Sequence, residues 1–238
     1  MNIIPVRDLP EIAEGDDLAA LVAERIEVED GDVVVIAQKV VSKSEGRVIS
    51  LDELEPSERA RELAAGDDPR RIEAILREAH AIVRIRPPLV IAQTRHGFIC
   101  ASAGVDASNT EPGTLVLLPL DPDASAARIR ARFRELRTVD VGVIVSDSFG
   151  RPWRQGTTDV AIGAAGIRVL EDLRGTIDRS GHELRSTQIA IADELAGAAQ
   201  LVMGKADGIP VAIIRGLEVA GDGAATELVI PPERDLFR

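Results

Sequence analysis

Three polar clusters of the sequence contain side-chain types that bind phosphate or hard cations. The first, residues 38–47 with the sequence QKVVSKSEGR, places two lysines and an arginine beside a glycine, directly after an apolar run. Lysine binds phosphate as a compact charge, and arginine binds it as a planar fork. Because the spacing is not that of a Walker-type loop, the cluster predicts either a phosphate-binding segment or a solvent-exposed basic turn.

The second cluster, residues 104–109 with the sequence GVDASN, brings Asp106 and Asn109 close together in a loop that begins with a glycine. Hard cations prefer carboxylate and carbonyl oxygens as ligands. The cluster therefore predicts half of a Mg²⁺ or Mn²⁺ site, with an Asx-type turn as the alternative.

The third cluster, residues 146–159 with the sequence SDSFGRPWRQGTTD, begins with Asp147 and Ser148 at the end of an apolar run. Arg151 and Arg154 follow, with Trp153 between them. Mg²⁺ is usually held by one or two carboxylates together with phosphate oxygens of the substrate, and nearby arginines neutralise charge on a transferring phosphoryl group. The cluster predicts a phosphoryl-transfer loop, with a surface loop of ordinary ion pairs as the alternative.

The other reactive side chains show weaker patterns. His80, His96 and His182 share no metal-ligand spacing and are interpreted as surface or hairpin residues. Cys100 lies in a predicted strand and is interpreted as a small core residue. Residues 203–210, MGKADGIP, are either a ligand-binding loop or the end of a helix.

A mixed α and β framework must hold these clusters, because the apolar period switches between about two and about 3.6 residues along the chain. Each cluster comes directly after a predicted strand, at 32–37, 98–102 and 141–145. The further predicted elements are strands 89–93, 115–118 and 211–214 and helices 57–65, 69–79, 122–137 and 189–203. The fold class predicted from this pattern is α+β.

The composition excludes several classes of protein. The chain has 238 residues, with 28 Lys+Arg against 40 Asp+Glu, and its net charge of −12 argues against binding to nucleic-acid backbones. No apolar run reaches the roughly 18–20 residues that span a bilayer, and the N-terminus lacks the pattern of a secretory signal. A single cysteine is typical of a reducing compartment. We therefore expect a cytoplasmic protein that binds neither nucleic acid nor membranes.

Four stretches, in their order along the chain, resemble the coenzyme F420-0:L-glutamate ligases, also called F420-0:gamma-glutamyl ligases or the CofE family. They are VSKSEGR (41–47), GVDASN (104–109), SDSFGRPWR (146–154) and MGKA (203–206). The similarity extends from residues 9–12 to residue 238 and is strongest to the N-terminal ligase half of FbiB proteins. We therefore expect residues 1–238 to form one CofE-like ligase domain, with two closely packed subdomains whose boundary the sequence does not give. FbiB proteins carry a flavin-binding domain after this half, so the chain is expected to be a stand-alone ligase or such a half.

The resemblance implies a GTP-dependent ligase that adds L-glutamate to coenzyme F420-0 through an acyl phosphate. The products would be F420-1, GDP and phosphate, and further gamma-glutamyl additions could follow. GTP, L-glutamate and F420-0 would be the partners of the chain. The resemblance further implies a divalent cation, Mg²⁺ or Mn²⁺, allows K⁺ as an additional ion, and implies a homodimer.

The resemblance also assigns residues. Positions that match GTP-binding positions of the family are Leu9, Pro10, Glu11, Ile12, Gln38, Lys43, Asn109, Met203, Gly204, Lys205, Ala206, Asp207, Gly208, Ile209 and Pro210. Positions that match metal ligands are Asp106, Asp147 and Ser148. Two of these positions depart from the family, because Gln38 replaces a small hydroxyl residue and Ser148 replaces threonine. From their chemistry and position alone, Arg151 and Arg154 are predicted to bind phosphate or the incoming glutamate during catalysis.

Two other functions use the same residues. A metal-dependent phosphohydrolase would release phosphate without incorporating glutamate, and a non-catalytic nucleotide-binding module would bind GTP without turnover.

Overall fold

A computed structural model describes residues 1–236 as a five-stranded mixed sheet with helices on both faces and three smaller sheets. The strands are β1 (Asn2–Val6), β2 (Val33–Ala37), β3 (Val48–Ser50), β4 (Ala79–Arg86), β5 (Leu89–Thr94), β6 (Ile99–Ala101), β7 (Thr114–Val116), β8 (Gly142–Arg151), β9 (Arg154–Ala165), β10 (Glu171–Asp172), β11 (Gln188–Ile189) and β12 (Val211–Arg215). The α-helices are α1 (Leu18–Arg25), α2 (Gln38–Ser44), α3 (Glu58–Ala64), α4 (Pro69–Glu78), α5 (Pro122–Arg137) and α6 (Ile191–Met203).

The central sheet has the strand order β1-β12-β2-β8-β9. β2 and β8 are parallel, whereas the other neighbouring pairs are antiparallel. β2 and the first half of β8 read as continuous apolar runs and are buried on both faces, as strands between two helical layers are. The small sheets pair β3 with β7, β10 with β11, and β4 with β5 and β6.

Three apolar cores surround this sheet. On one face, Val34, Ile36 and Val143 pack with residues of α1 and α5, including the buried Phe133. On the other face, residues of β2, β8 and β12 pack against the alanine-rich side of α6. A third core lies among α3, α4, β5 and β7, away from the central sheet. Apart from the aromatic rings of Phe98, Phe133 and Phe149, aliphatic side chains fill these cores.

Several sequence predictions are confirmed, including the α+β class. The helix predicted at 122–137 has those bounds, and its first turn is capped by the Asp121 side chain, which accepts a hydrogen bond from the Ala124 N–H at 2.9 Å. The helices predicted at 57–65, 69–79 and 189–203 correspond to α3, α4 and α6, with shifts of one or two residues. The predicted strands at 32–37, 115–118 and 211–214 correspond to β2, β7 and β12, and the hairpin of 89–93 with 98–102 corresponds to β5 and β6.

The structure contradicts the basic turn, one of the two alternatives for residues 38–47, over residues 38–44, and it contradicts the loop predicted for residues 146–159. Residues 38–44 form helix α2, which begins immediately after β2. β8 does not end before Ser146 but continues to Arg151, and it pairs with β9 through the two-residue turn at Pro152 and Trp153. Cross-strand pairing, which a single segment does not reveal, stabilises this polar part of the chain as a hairpin.

Two further predictions concern membrane-spanning helices and the extent of the ligase domain. In the part that the structure describes, no helix is long and apolar enough to cross a membrane. The end of the resemblance at Phe237 and Arg238 lies outside the described residues, and the division into two subdomains stays a prediction.

Candidate functional site

The parallel pairing of β2 and β8 brings two of the polar clusters together. Ala37, the last residue of β2, is paired with Ser146 of β8. Because parallel strands run in the same direction, the segments that follow them begin at the same edge of the sheet. Gln38 and Lys39 at the start of α2 therefore lie next to Asp147 and Ser148. Ligand sites of open α/β sheets commonly form at such an edge.

Asp106, from the second cluster, reaches the same edge from the loop that joins β6 to β7. Its backbone is held by two hydrogen bonds with Val116, at 3.0 and 2.8 Å. One carboxylate oxygen accepts the Ser108 N–H at 2.7 Å, which is the predicted Asx turn, and the other lies 2.8 Å from the Lys39 ammonium. Burial alone would raise the pKa of Asp106, but these donors outweigh burial and lower it.

Asp147 carries the most perturbed carboxylate of this edge. Burial, together with the negative charges of Asp106 and Asp159, raises the pKa of Asp147 to about 7, against the opposing effect of the Ser148 N–H and Lys39. Burial is the main cause of this shift, and the two neighbouring carboxylates add to it. A carboxylate of this kind is a candidate for a functional group.

Ser148 faces the other side of the hairpin, since successive side chains of a strand point to opposite faces. It lies opposite Asp159 of β9 in the strand register, and its hydroxyl donates a hydrogen bond to the Asp159 carboxylate. The Ser146 hydroxyl is 3.4 Å from the second oxygen of Asp159. The Lys205 ammonium contacts the Ser148 hydroxyl and lies 3.3 Å from Asp159.

The structure thus divides the three predicted metal ligands. Asp106 and Asp147 are brought together on the side of Lys39, whereas the Ser148 side chain turns to Asp159 and Lys205. The geometry of these residues does not by itself assign a metal role, so the three assignments stay predictions. Asp159 is a buried acidic neighbour of both groups.

The predicted nucleotide-binding residues form two groups around this edge. In the first group, Gln38 is buried, and its side-chain oxygen accepts a hydrogen bond from the Ser42 hydroxyl at 2.9 Å. Its amide Nε2 is buried without a hydrogen-bond partner among residues 1–236. Lys43, one helical turn later, forms an ion pair with the exposed Glu11 and so connects α2 to the 9–12 segment. In that segment, Ile12 is buried in the core, whereas Glu11 is exposed.

The second group is the loop after α6. Met203 and Ile209 are buried and anchor its two ends, whereas residues 205–208 are exposed. The Pro210 carbonyl accepts a hydrogen bond from the Ala37 N–H at 2.8 Å, which fastens the loop to the end of β2. The helix-end interpretation of this stretch is confirmed, because Gly204 ends α6 with a φ of 63°. Lys205 points towards Asp159, and the ligand-binding role of the loop stays a prediction. Asn109 is exposed in the Asp106 loop.

The two predicted catalytic arginines lie at the tip of the β8–β9 hairpin. At about 3.3 Å per residue, Arg151 lies roughly 13 Å along the strand from Asp147. The side chains of Arg151 and Asp147 in the same molecule are therefore not in contact. Arg151 donates a hydrogen bond to the Gln155 carbonyl at 2.8 Å, while its buried Nε has no hydrogen-bond partner within the described residues. Arg154 is exposed.

The donor set fits a hard divalent cation. Asp106 and Asp147 offer carboxylate oxygens on one side of the hairpin, and a cation there would stabilise the charged form of Asp147, which burial and the neighbouring carboxylates disfavour. Residues 1–236 contain no group of three His, Cys, Asp or Glu side chains that would hold a metal by themselves. Mg²⁺ bound with a nucleotide commonly uses only one or two carboxylates, the phosphates supplying other ligands.

Sequence reasoning missed two residues of this edge. Asp159 ended the third cluster but received no role, because only the strand register reveals that it faces Ser148. The sequence pattern places Lys39 in the basic cluster but predicts no role for it. One signal could have found it, since the chain contains only three lysines, Lys39, Lys43 and Lys205, among 28 basic residues. All three lie at this edge, each paired with a carboxylate.

Comparisons with known proteins show the family to which the chain belongs. The family described as F420-0:Gamma-glutamyl ligase matches residues 7–216. A protein of Methanopyrus kandleri named coenzyme F420:L-glutamate ligase is 52% identical over 246 residues, which cover 100% of this chain and 98% of the relative. A protein of the same name from Methanocaldococcus jannaschii is 47% identical, and the match covers 97% of this chain and 94% of the relative. Another from Archaeoglobus fulgidus is 44% identical, and the match covers 100% of this chain and 96% of the relative.

Proposed function

The chain belongs to the F420-0:gamma-glutamyl ligase family, and from that premise we propose that it joins L-glutamate to coenzyme F420-0 in a GTP-dependent reaction. The observation that carries the proposal is the convergence of Asp106, Asp147 and all three lysines at the edge where β2 and β8 end. Relatives with the ligase name align over nearly the entire chain, which supports the same activity.

The side chains of this edge suit a phosphorylated nucleotide. Lysine ammonium groups bind phosphate oxygens as point charges, and Lys43 and Lys205 lie on segments that match nucleotide-binding positions of the family. The unpaired Nε2 donor of the buried Gln38 is available for an acceptor atom of the nucleotide. An acidic chain needs such placed cations, since its net charge of −12 repels the anionic substrates.

Asp106 and Asp147 are the residues proposed to hold a Mg²⁺ or Mn²⁺ ion. When bound there, the ion would supply charge neutralisation to the phosphates during transfer. The two aspartates would orient it, and the β8–β9 pairing keeps Asp147 on the rigid part of the sheet. Lys39 and Lys205 would exchange a carboxylate partner for a phosphate oxygen. Arg151 and Arg154 are proposed to bind the incoming glutamate or phosphate.

The proposed chemistry activates a carboxylate before an amide bond forms. An oxygen of the F420-0 carboxylate attacks the γ-phosphorus of GTP, and GDP leaves with the electrons of the broken P–O bond. The amine of L-glutamate then attacks the carbonyl carbon of the acyl phosphate, loses a proton and expels phosphate. Repetition on the γ-carboxylate of the new residue would extend the chain.

Incubation with F420-0, GTP, Mn²⁺ and L-glutamate tests this function, with mass spectrometry as the readout. We expect a gain of one glutamyl unit or more, dependent on both GTP and the metal, and severe loss of the reaction in Asp147→Asn. Asn keeps the size of the side chain and removes only its charge.

The alternatives predict other products. Phosphate release without a gain of glutamate would identify a phosphohydrolase, and GTP binding without turnover would identify a nucleotide-binding module. A homodimer, a cytoplasmic location and a stimulating effect of K⁺ belong to the same proposal. Gel filtration with light scattering and turnover with and without KCl test the first and the last.

A further inference from the structure

Lys39 occupies the position of a cation beside Asp106. Its Nζ lies 2.8 Å from Asp106 Oδ2 and also donates a hydrogen bond to the Ser108 hydroxyl. The Lys39 side chain is 21% exposed, so the ammonium is held at the rim of the site and not free in solvent. Its charge also acts on Asp147. A positive group thus already lies next to both carboxylates that the proposed function gives to a divalent cation.

An ammonium and a divalent cation cannot share this place at little cost. The ammonium and the divalent cation would compete for Asp106 Oδ2, because the other carboxylate oxygen, Oδ1, accepts the Ser108 N–H. Two positive groups that close would also repel each other. Lysine has a long flexible stem, so the ammonium can leave Asp106 while the backbone of α2 stays in place.

We propose that Lys39 is a cation-exchange residue, which neutralises Asp106 in the nucleotide-free protein, is displaced when a divalent cation binds Asp106, and then binds a phosphate oxygen of the nucleotide. The inference rests on the proposed function and adds a residue to it. It implies that Lys39 has opposite effects on the two ligands: it weakens the binding of metal alone and strengthens the binding of nucleotide with metal.

Lys43 provides a matched comparison on the same helix. It lies four residues after Lys39, so both side chains project from one face of α2. Its partner is Glu11, which is not among the proposed metal ligands. Lys43 can therefore bind a phosphate without first competing with the metal.

The first experiment measures Mn²⁺ binding by electron paramagnetic resonance without nucleotide. Loss of a competing ion pair at a partly exposed site should make Lys39→Met bind Mn²⁺ about three- to fivefold more tightly than wild type. Lys43→Met should stay within about twofold of wild type. If wild type binds no Mn²⁺ alone, Lys39→Met should gain measurable binding. With saturating Mn²⁺, both variants should bind GTP more weakly, by about fivefold or more.

A second measurement needs no variant. Because the chain has three lysines, reductive methylation followed by mass spectrometry reports on each ammonium separately. Mn²⁺ alone should raise the modification of Lys39 and leave Lys43 unchanged, and subsequent addition of GTP should lower it. This result stands even if Lys39→Met fails to fold.

Three results would overturn the inference: unchanged or weaker Mn²⁺ binding by Lys39→Met, unchanged GTP affinity of that variant, or modification of Lys39 that ignores Mn²⁺. The proposed function fails separately, when wild type adds no glutamate to F420-0. A wild type that ligates glutamate but shows any of these three results refutes the role of Lys39 alone.

Discussion

Replacement of Asp159 should destabilise the protein by an amount set by what the new side chain leaves unpaired. The Asp159 side chain is 6% exposed. Its carboxylate accepts the Ser148 hydroxyl, lies 3.4 Å from the Ser146 hydroxyl, and lies 3.3 Å from the Lys205 ammonium. One buried group therefore connects both strands of the hairpin to the loop after α6.

These contacts differ in strength. A hydrogen bond from Ser148 to a charged acceptor contributes about 1.5–3 kcal/mol, whereas the distant Ser146 contributes little. The Lys205 ammonium is on a side chain that is 59% exposed, so its ion pair adds at most about 1 kcal/mol. Asn keeps an acceptor for Ser148, and Asp159→Asn should cost about 1–2 kcal/mol. Asp159→Ala also leaves a void and an unpaired hydroxyl and should cost about 3–4 kcal/mol.

Urea unfolding at neutral pH, followed by far-ultraviolet circular dichroism, measures this order. Fluorescence is less suitable because Trp153 is 83% exposed at the hairpin tip. Lys205→Met is the matched control and should cost no more than about 1 kcal/mol. If Asp159→Ala and Asp159→Asn both lie within about 0.5 kcal/mol of wild type, the carboxylate is not buried and bonded as described, and the reasoning is refuted.

Three further predictions concern stability and reactivity. Hydrogen bonds from Ser57, with a smaller contribution from Arg77, lower the pKa of Glu73 to about 2. Glu73→Gln should therefore lower the free energy of unfolding by about 1–2 kcal/mol at pH 7, after allowance for solvent screening. Urea unfolding across pH should show this difference shrinking below the unfolded-state pKa of the carboxyl and vanishing near pH 2. Burial, with a smaller effect of a nearby carboxylate, raises the pKa of Cys100 to about 12. A thiol reagent at pH 8 should therefore react with Cys100 only after unfolding, and rapid reaction of the native protein would contradict this. A Cβ at Gly163 would lie 2.2 Å from a carbonyl oxygen of α5, so Gly163→Ala should lower stability by about 1–3 kcal/mol, and an unchanged melting temperature would argue against that close packing.

Local signals predicted the helices well. Pro122–Arg137 combines an Asp N-cap, Pro in the first turn and apolar residues at helical spacing, and each of these acts within a few residues. The buried strand Val33–Ala37 is likewise visible as an apolar run. The order of the polar clusters along the chain also identified the family, because short motifs can be recognised in a sequence without knowledge of the fold.

The arrangement of the site depended on information that sequence spacing does not contain. Residues 146–159 are polar, so their pattern indicates a loop, yet β8 and β9 stabilise each other as an antiparallel pair. That register places Asp159 opposite Ser148. Similarly, Lys39 reaches Asp106 only because the loop before β7 folds back toward the end of β2. Contacts between distant segments decide which neighbour a charged side chain finds.

The path of one carboxylate oxygen tests the central claim most directly. F420-0 labelled with oxygen-18 in its free carboxylate is incubated with the protein, GTP, Mn²⁺ and L-glutamate, and both products are weighed by mass spectrometry. The account predicts that the first amide bond appears with one molecule of phosphate that carries one labelled oxygen. Any later addition should release unlabelled phosphate, because it activates a carboxylate of the added, unlabelled glutamate. Formation of the first amide bond without labelled phosphate, or labelled phosphate without a gain of glutamate, would contradict it.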